Sequence, residues 1–539
     1  MLPPSLPPLP SPPPPPSFLH YHGIVITDPT LARYVLRSKY LDKFRFIYSF
    51  LDEFLGGPNL LTGHTDAHWK ALRKGVAPAF SVSNMKYAFD VIRGRCDKLV
   101  AILDALVAGE KGGTDAEGAI NVDNLLLRES MDVIGRVGFE RDMGALDAFG
   151  KDGGCAAAGP GKDVQVMIDA TEEVIERIER PFDTVFKAWT PKIRHGHALM
   201  AHWQGVVGGL LKHIKAVHTA PGSFCNLLLK VKDPKTGAGL TDAQMTPEIA
   251  ALFFAGIDTT GHTGTWALYL LSQHPDVEAK VLAELEAAEL LVSPDRPDPR
   301  PIEWADLARL VYLQAFIKEV LRLYPPVGIG QMRICHTHDL SLAGGRLFVP
   351  RGTIVWVPHH AMHNAAHNWD EPEAFKPERW LVAGGGVEFA DRLTMPKEWY
   401  QGWADEAAAA AADGALASAP SVGPSTDPAL AGLAGAGDAS AAGADRPKRY
   451  FPFAEGPRNC VGQSLAMVTL PTTLALLLSR FHFKLAPSMG GRGGVEAREQ
   501  YTLVTGIRGG MMMQAVPRPG SKVVAAAAAT GPAVVAGAS

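Results

Sequence analysis

The stretch whose reading decides the fold is Phe451-Pro452-Phe453-Ala454-Glu455-Gly456-Pro457-Arg458-Asn459-Cys460-Val461-Gly462-Gln463-Ser464-Leu465-Ala466. One cysteine sits in a loop punctuated by glycine and proline. Directly after it, Gln463 to Leu470 reads as the first turns of an apolar helix. Cys460 is therefore predicted to stand near a helix N-terminus, where unpaired N–H groups and the dipole favour an anion. A thiolate is expected to form more readily there than in free cysteine. Gly456 and Gly462 permit close approach of the backbone to a flat ligand or to the sulfur. Arg458 puts a cation two residues from the thiolate, suited to a carboxylate.

A lone cysteine is most often a buried structural residue. The residues around Cys460 argue otherwise. A thiolate with hydrogen-bonding backbone around it is one of the ways proteins hold haem iron. Phe453, Gly456, Arg458, Cys460 and Gly462 reproduce the pattern F-x-x-G-x-R-x-C-x-G, and in this the chain resembles the haem-thiolate monooxygenases, the cytochrome P-450 family. The resemblance implies that Cys460 is the axial ligand of the iron of haem b, with Phe453 and Arg458 binding the cofactor.

Composition sets wide bounds. At roughly 150 residues per domain the length of 539 suggests three or four domains, yet a single large enzyme fold is allowed. Hydrophobic residues make up 47% of the chain, ample for a core. A net charge of -4 gives no case for nucleic-acid binding. The five cysteines, Cys96, Cys155, Cys225, Cys335 and Cys460, are scattered without CxxC pairs, against a disulfide framework or a structural zinc site. No apolar run reaches the roughly 18 residues of a spanning helix. Met1 to Phe18 is mostly Pro, Leu and Ser, without the basic and apolar regions of a signal peptide or the arginines of a transit peptide.

The rest of the chain extends the resemblance. Residues 1–20 are expected to be disordered or polyproline-like. His22 to Ile26 reads as a strand, and Asp28-Pro29 opens a helix through Leu36. An anchor, a first helix and a first strand usually precede this point in eukaryotic members and are not found, which implies a truncated gene model or a member without an anchor. Phe44 to Leu61 looks like the loop that covers the substrate pocket. Trp69 and Arg73 share one helix face, ordinarily a stacked surface pair; the resemblance assigns them to a haem propionate. From Tyr87 to Leu211 the chain is mainly helical, with a Gly/Ala insertion at Gly150 to Gly161 and a lid region at Arg180 to Lys192.

Thr246-Pro247-Glu248 reads as the start of a long buried helix that stops before Pro275. Its middle holds Ala255-Gly256-Ile257-Asp258-Thr259-Thr260-Gly261. Interior glycines each cost about 1 kcal/mol against alanine, and a threonine can bond back to the i−4 carbonyl and bend the helix. Such a midpoint suits either a helix that opens toward a ligand or a simple kink. The stretch matches the family's A/G-G-x-D/E-T-T motif, which implies that Asp258 and Thr259 are catalytic and deliver protons.

Glu319 and Arg322 would ordinarily be a surface pair. With Lys376-Pro377-Glu378-Arg379-Trp380 downstream, the resemblance makes Glu319, Arg322 and Arg379 a structural charge cluster. Arg333, in an extended segment after Tyr324-Pro325-Pro326, falls where the family places another propionate ligand. Leu347 to Thr353 and Ile354 to Val357 read as two strands of a small sheet. His363 and His367 are four apart, but Asn364 replaces the glutamate of a zinc-protease helix. A low-complexity insertion at about 405–445 is expected to lack fixed structure and is a candidate modulator of redox-partner access, an idea abandoned if its deletion leaves the reductase Michaelis constant unchanged. Pro471 interrupts the helix after Cys460 and can kink it. Tyr501 to Val516 reads as a hairpin, whose turn the resemblance points into the pocket through Val504 and Thr505, and residues 519–539 are expected to be a disordered tail.

The resemblance spans roughly His22 to Arg518. It implies a mainly α fold with small β-sheets (α+β), one domain over residues 21–518, with haem b between two long helices. It implies insertion of one oxygen atom of O2 into an apolar substrate of lipid, carotenoid, sterol or terpenoid class. Electrons would come from NADPH through a reductase of flavoprotein or ferredoxin type. Phe253, Ile257, Val327 and Ile329 would line the pocket. Membrane association, at the endoplasmic reticulum or a plastid, follows by resemblance only. Two rival readings are a haem-thiolate isomerase or dehydratase, and a non-catalytic haem-binding relic.

Overall fold

The computed structural model describes residues 22–150, 160–179, 190–217, 219–337, 339–342, 347–382, 386–387, 449–501 and 503–521. The expectations for the proline-rich start, the insertion at 405–445 and nearly all of the tail and lid concern residues outside these. Among the described residues the longer helices are α1 (Pro29–Arg37), α2 (Ala67–Val76), α3 (Val82–Val107), α4 (Val122–Phe139), α5 (Pro160–Glu179), α6 (Pro191–Ala216), α7 (Phe224–Lys230), α8 (Asp242–Gln273), α9 (Pro275–Ala287), α10 (Val311–Leu323) and α11 (Gln463–Arg480). No described helix is long and apolar enough to cross a membrane.

Local chemistry sets several of these helices. Asp28 caps α1, accepting from Leu31 N at 2.9 Å, with Pro29 in the first turn. Asp66 caps α2 through Trp69 N at 2.8 Å. The long α8 begins five residues before the predicted start. Thr241 and Gln244 form a reciprocal capping box, a stronger signal than Thr246-Pro247, and Pro247 lies inside the helix. α11 likewise runs through Pro471.

The glycines of α8 have a packing reason. A Cβ on Gly256 would stand 3.0 Å from Ile134 Cδ1, one on Gly261 2.9 Å from Leu127 Cδ2 and 3.1 Å from Leu127 backbone, and one on Gly264 3.1 Å from Leu126 Cδ1. All three meet α4, so these positions let two helices approach closely rather than open α8 to a ligand. The threonine expectation holds: Thr259 Oγ1 donates to Ala255 O at 2.7 Å, and Thr263 Oγ1 to Thr259 O at 2.6 Å.

Five small sheets flank the helices among the described residues. The strands are β1 (Gly23–Val25), β2 (Leu41–Lys43), β3 (Ile120–Asn121), β4 (Gln331–Cys335), β5 (Leu340–Leu342), β6 (Leu347–Val349), β7 (Ile354–Val357), β8 (Leu381–Val382), β9 (Gly386–Val387), β10 (Phe481–Leu485), β11 (Glu499–Tyr501), β12 (Thr505–Ile507) and β13 (Met512–Pro517). The largest has the order β1-β7-β4-β2, with β1 parallel to β7 and the other pairs antiparallel. Two pairings differ from expectation. β6 pairs with β5 rather than sharing a sheet with β7. The C-terminal hairpin is β11–β12, and β13 joins β10 and β3 instead.

The main apolar core runs between α3, α4, α8, α10 and α11. A satellite core of Ala32, Val35, Leu36, Leu41, Val355 and Phe451 packs α1 and the largest sheet against the start of the cysteine loop. Phe253 belongs to the main core: its ring stacks on Phe139 with centroids 4.6 Å apart, and Trp203 meets it edge-on. Ile257 is fully buried as well. Val327 and Ile329 are half-buried beside β4.

Candidate functional site

The cysteine loop is a tightly wound turn. Cys460 N donates to Phe453 O at 2.8 Å, Ala454 N to Phe451 O at 3.0 Å and Asn459 N to Gly456 O at 3.0 Å. Gly456 has φ +76°, and a Cβ there would lie 2.6 Å from Leu36 O at the end of α1. Only glycine satisfies both demands. α11 begins at Gln463, and the backbone N–H groups of Gly462 and Gln463 bond the Cys460 sulfur. Cys460 is an exposed residue, with its side chain nonetheless crowded by protein. That crowding pushes the thiol pKa up, against the two amides and the Arg73 charge, which pull it down. An iron at the sulfur would add its own stabilisation of the thiolate.

Beside the loop lies a buried cationic cluster. Antiparallel pairing of β2 with β4 sets Lys43 directly opposite Arg333. Both are buried, at 3% and 2% exposure. Like charges opposite one another in a sheet are unfavourable. Arg458 joins them: its Nε donates to Thr65 Oγ1 at 2.8 Å, its Nη2 to Gly63 O at 2.6 Å, and its guanidinium lies 4.2 Å from the Trp69 ring centre. Asp42, 3.5 Å from Arg458, is the acid in contact. Burial followed by the Arg333 and Arg458 charges drives the Lys43 pKa well down. Several donors find no partner: Arg333 Nε and Nη2, and Arg458 Nη1. Buried N–H groups are seldom left unmatched.

Trp69 and Arg73 stand beside this cluster. The Trp69 indole N–H donates to Leu60 O at 2.9 Å, so the ring serves as a platform for Arg458. Arg73 Nη2 donates to Asn459 Oδ1 at 2.6 Å, next to Cys460. Phe453 is half-buried in the loop, its carbonyl holding the Cys460 amide.

On α8, Asp258 is buried and Thr259 half-buried. Burial first, with the Asp123 and Glu172 charges, raises the Asp258 pKa to about 7 against the opposing charge of His262. Thr505, expected in the pocket, is buried: its Oγ1 donates to Pro325 O at 2.7 Å. Val504 is buried too.

Glu319, Arg322 and Arg379 do come together. Arg322 grips Glu319 through Nε at 3.0 Å and Nη2 at 2.8 Å, and Arg379 Nε donates to the same carboxylate at 3.0 Å. Trp380 Nε1 and Lys376 N complete its shell at 2.9 and 3.0 Å. Arg322 also donates to the His363, Pro372 and Ala374 carbonyls. His363 Nε2 accepts from Phe451 N at 2.9 Å, tying this cluster to the cysteine loop.

Sequence reasoning missed Lys43 and gave no separate role to Trp380 or His359. Lys43 needed the strand register to place it opposite Arg333. His359 is buried with neither ring nitrogen partnered, and burial, then Arg333, lowers its pKa to about 4. Cations in excess of acids, orphaned N–H groups and a sulfur bonded by amides at a helix start fit a flat macrocycle that carries carboxylates and iron. They are the donor set of a haem-thiolate protein.

Comparison with known proteins makes the assignment specific. The sequence model of the family named Cytochrome P450 matches residues 17–393 and 438–492, and the chain belongs to that family. Relatives include cytochrome P450 3A9 of Rattus norvegicus, 23% identical over 86% of this chain and 76% of its own. Another is cytochrome P450 monooxygenase ABA2 of Pyricularia oryzae, 26% identical over 84% and 74%. The crystal structure of the cytochrome P450DA haem domain superposes with a TM-score of 0.64 at 20% identity, covering 91% of this chain and 86% of that one. The protein is accordingly an oxygen-incorporating oxidoreductase of the haem-thiolate type.

Proposed function

We propose that Cys460 holds haem b as its axial ligand and that the chain oxygenates an apolar small molecule with electrons from NADPH delivered by a reductase. Haem bound through a thiolate supplies the activation of dioxygen. The chain's own residues do the rest. The amides of Gly462 and Gln463 stabilise charge on the sulfur. Lys43, Arg333 and Arg458 would bind the carboxylates, which satisfies the unmatched N–H groups of the two arginines. Arg73 and Trp69 support that set through Asn459 and Arg458. Asp258 holds a proton at its carboxyl and Thr259 passes it at Oγ1. Val327 and Ile329 would orient the substrate, of lipid, carotenoid, sterol or terpenoid class.

The single observation that carries this reading is the pairing of two buried cations, Lys43 and Arg333, across one strand register beside the Cys460 loop. Its test is turnover of an apolar panel with NADPH and a reductase under 18O2. One labelled oxygen atom per product supports it. Unlabelled product formed without reductase would point to the isomerase or dehydratase instead.

A further inference from the structure

One buried charge pair lies outside the machinery described so far. Asp123 opens α4, and His262 sits on α8 one turn beyond Asp258. Residues four apart share a helix face. His262 Nδ1 and Asp123 Oδ1 are 2.8 Å apart, and Thr265 Oγ1 donates to the same oxygen at 2.9 Å. Gly261, next to His262, brings α4 close enough for this contact.

The groups facing this pair come from every element around it. Asp123 comes from α4, Asp258 from α8 itself, and Glu172 from α5, with Asp169 and Glu176 behind Glu172. The β11–β12 hairpin contributes the uncharged Gly506, where a Cβ would meet the His262 ring at 3.3 Å. Three carboxylates thus surround one imidazole. Burial alone would lower the His262 pKa, but the Asp123 charge and hydrogen bond, with Asp258 and Glu172, raise it to about 9.

We propose that His262, clamped by Asp123 and Thr265, is a positioning residue for Asp258: a fixed cation one turn away that lets the buried acid both release and regain a proton. The inference rests on the proposed role of Asp258. Without the cation, desolvation and the two neighbouring carboxylates would raise the Asp258 pKa further and make the acid a reluctant donor. With it, the acid titrates near neutral pH, where transfer in both directions is efficient.

The test follows the infrared carbonyl band of protonated Asp258, identified as the band missing in Asp258→Asn, as pH is raised on the haem-loaded protein. In His262→Gln its midpoint is expected to move up by about one pH unit. His262→Lys should restore the wild-type midpoint. The pH profile of coupled turnover should shift with the band. An unmoved midpoint in His262→Gln, or a His262→Lys midpoint that stays with that of His262→Gln, would overturn the proposal. The reduced, CO-bound spectrum of each variant separates the two readings: a normal thiolate band with an unmoved midpoint defeats only the role of His262, whereas no thiolate band in wild type defeats the proposed function.

Discussion

At the scale of single residues, the motif residues divide by what surrounds them. Glu319 receives five N–H donors in a dry interior, two from Arg322 and one each from Arg379, Trp380 and Lys376. Removing one partner of a buried ion cluster leaves the others uncompensated and costs about 3–5 kcal/mol. Glu319→Gln is therefore expected to lower unfolding free energy by that amount in urea titrations, without changing the axial ligand. Lys43 makes the opposite case. Lys43→Met removes a cation opposed by another, so the haem-free chain should gain roughly 1–4 kcal/mol. The same variant should lose haem to an acceptor globin about tenfold faster, which is about 1.4 kcal/mol. A variant less stable without haem and unchanged in haem retention would deny Lys43 its place in the site. The cysteine, the α8 acid and the Glu-x-x-Arg pair were legible because each lies in a short contiguous pattern. Lys43 was not, since its strand partner Arg333 lies hundreds of residues away.

At the scale of elements, sequence patterns located helices well and their purpose less well. The interior glycines of α8 looked like a weakness, yet they face α4. Gly261→Ala should gain about 1 kcal/mol in helix propensity and lose more by overpacking against Leu127, typically 1–3 kcal/mol. A Cβ at Gly208 in α6 meets nothing within 4 Å. Gly208→Ala should accordingly raise the melting temperature while Gly261→Ala lowers it. The start of α8 also carries Glu248, whose Oε2 accepts from Leu60 N at 3.0 Å and so fastens the segment expected to cover the pocket. Burial raises its pKa to about 8. The unfolded chain gives up that proton near pH 4, whereas the folded chain keeps it until about pH 8. Glu248 thus subtracts stability as pH rises across that window. Glu248→Gln should flatten the fall in unfolding free energy between pH 5 and 8 relative to wild type; an equal fall in both would show that Glu248 is not buried as described. Strand partners were the least legible elements, because β7 and β13 are short runs with neighbours far off in sequence.

At the scale of the whole molecule, the architecture joins two ends of the chain at one place. The β2–β4 register brings residues near 43 and 333 together, and Arg458 meets Gly63 and Thr65 from the opposite end. The family and its mainly helical class were readable from five local motifs, whereas this convergence depends on sheet pairing that no local pattern encodes. The central claim is that this convergence holds haem through Cys460. It is tested most directly by the dithionite-reduced, CO-bound difference spectrum of the full chain beside Cys460→Ala. The account predicts a red-shifted Soret band characteristic of thiolate ligation in wild type and its loss in the variant. The same band in Cys460→Ala, or haem bound in wild type without it, would contradict the account.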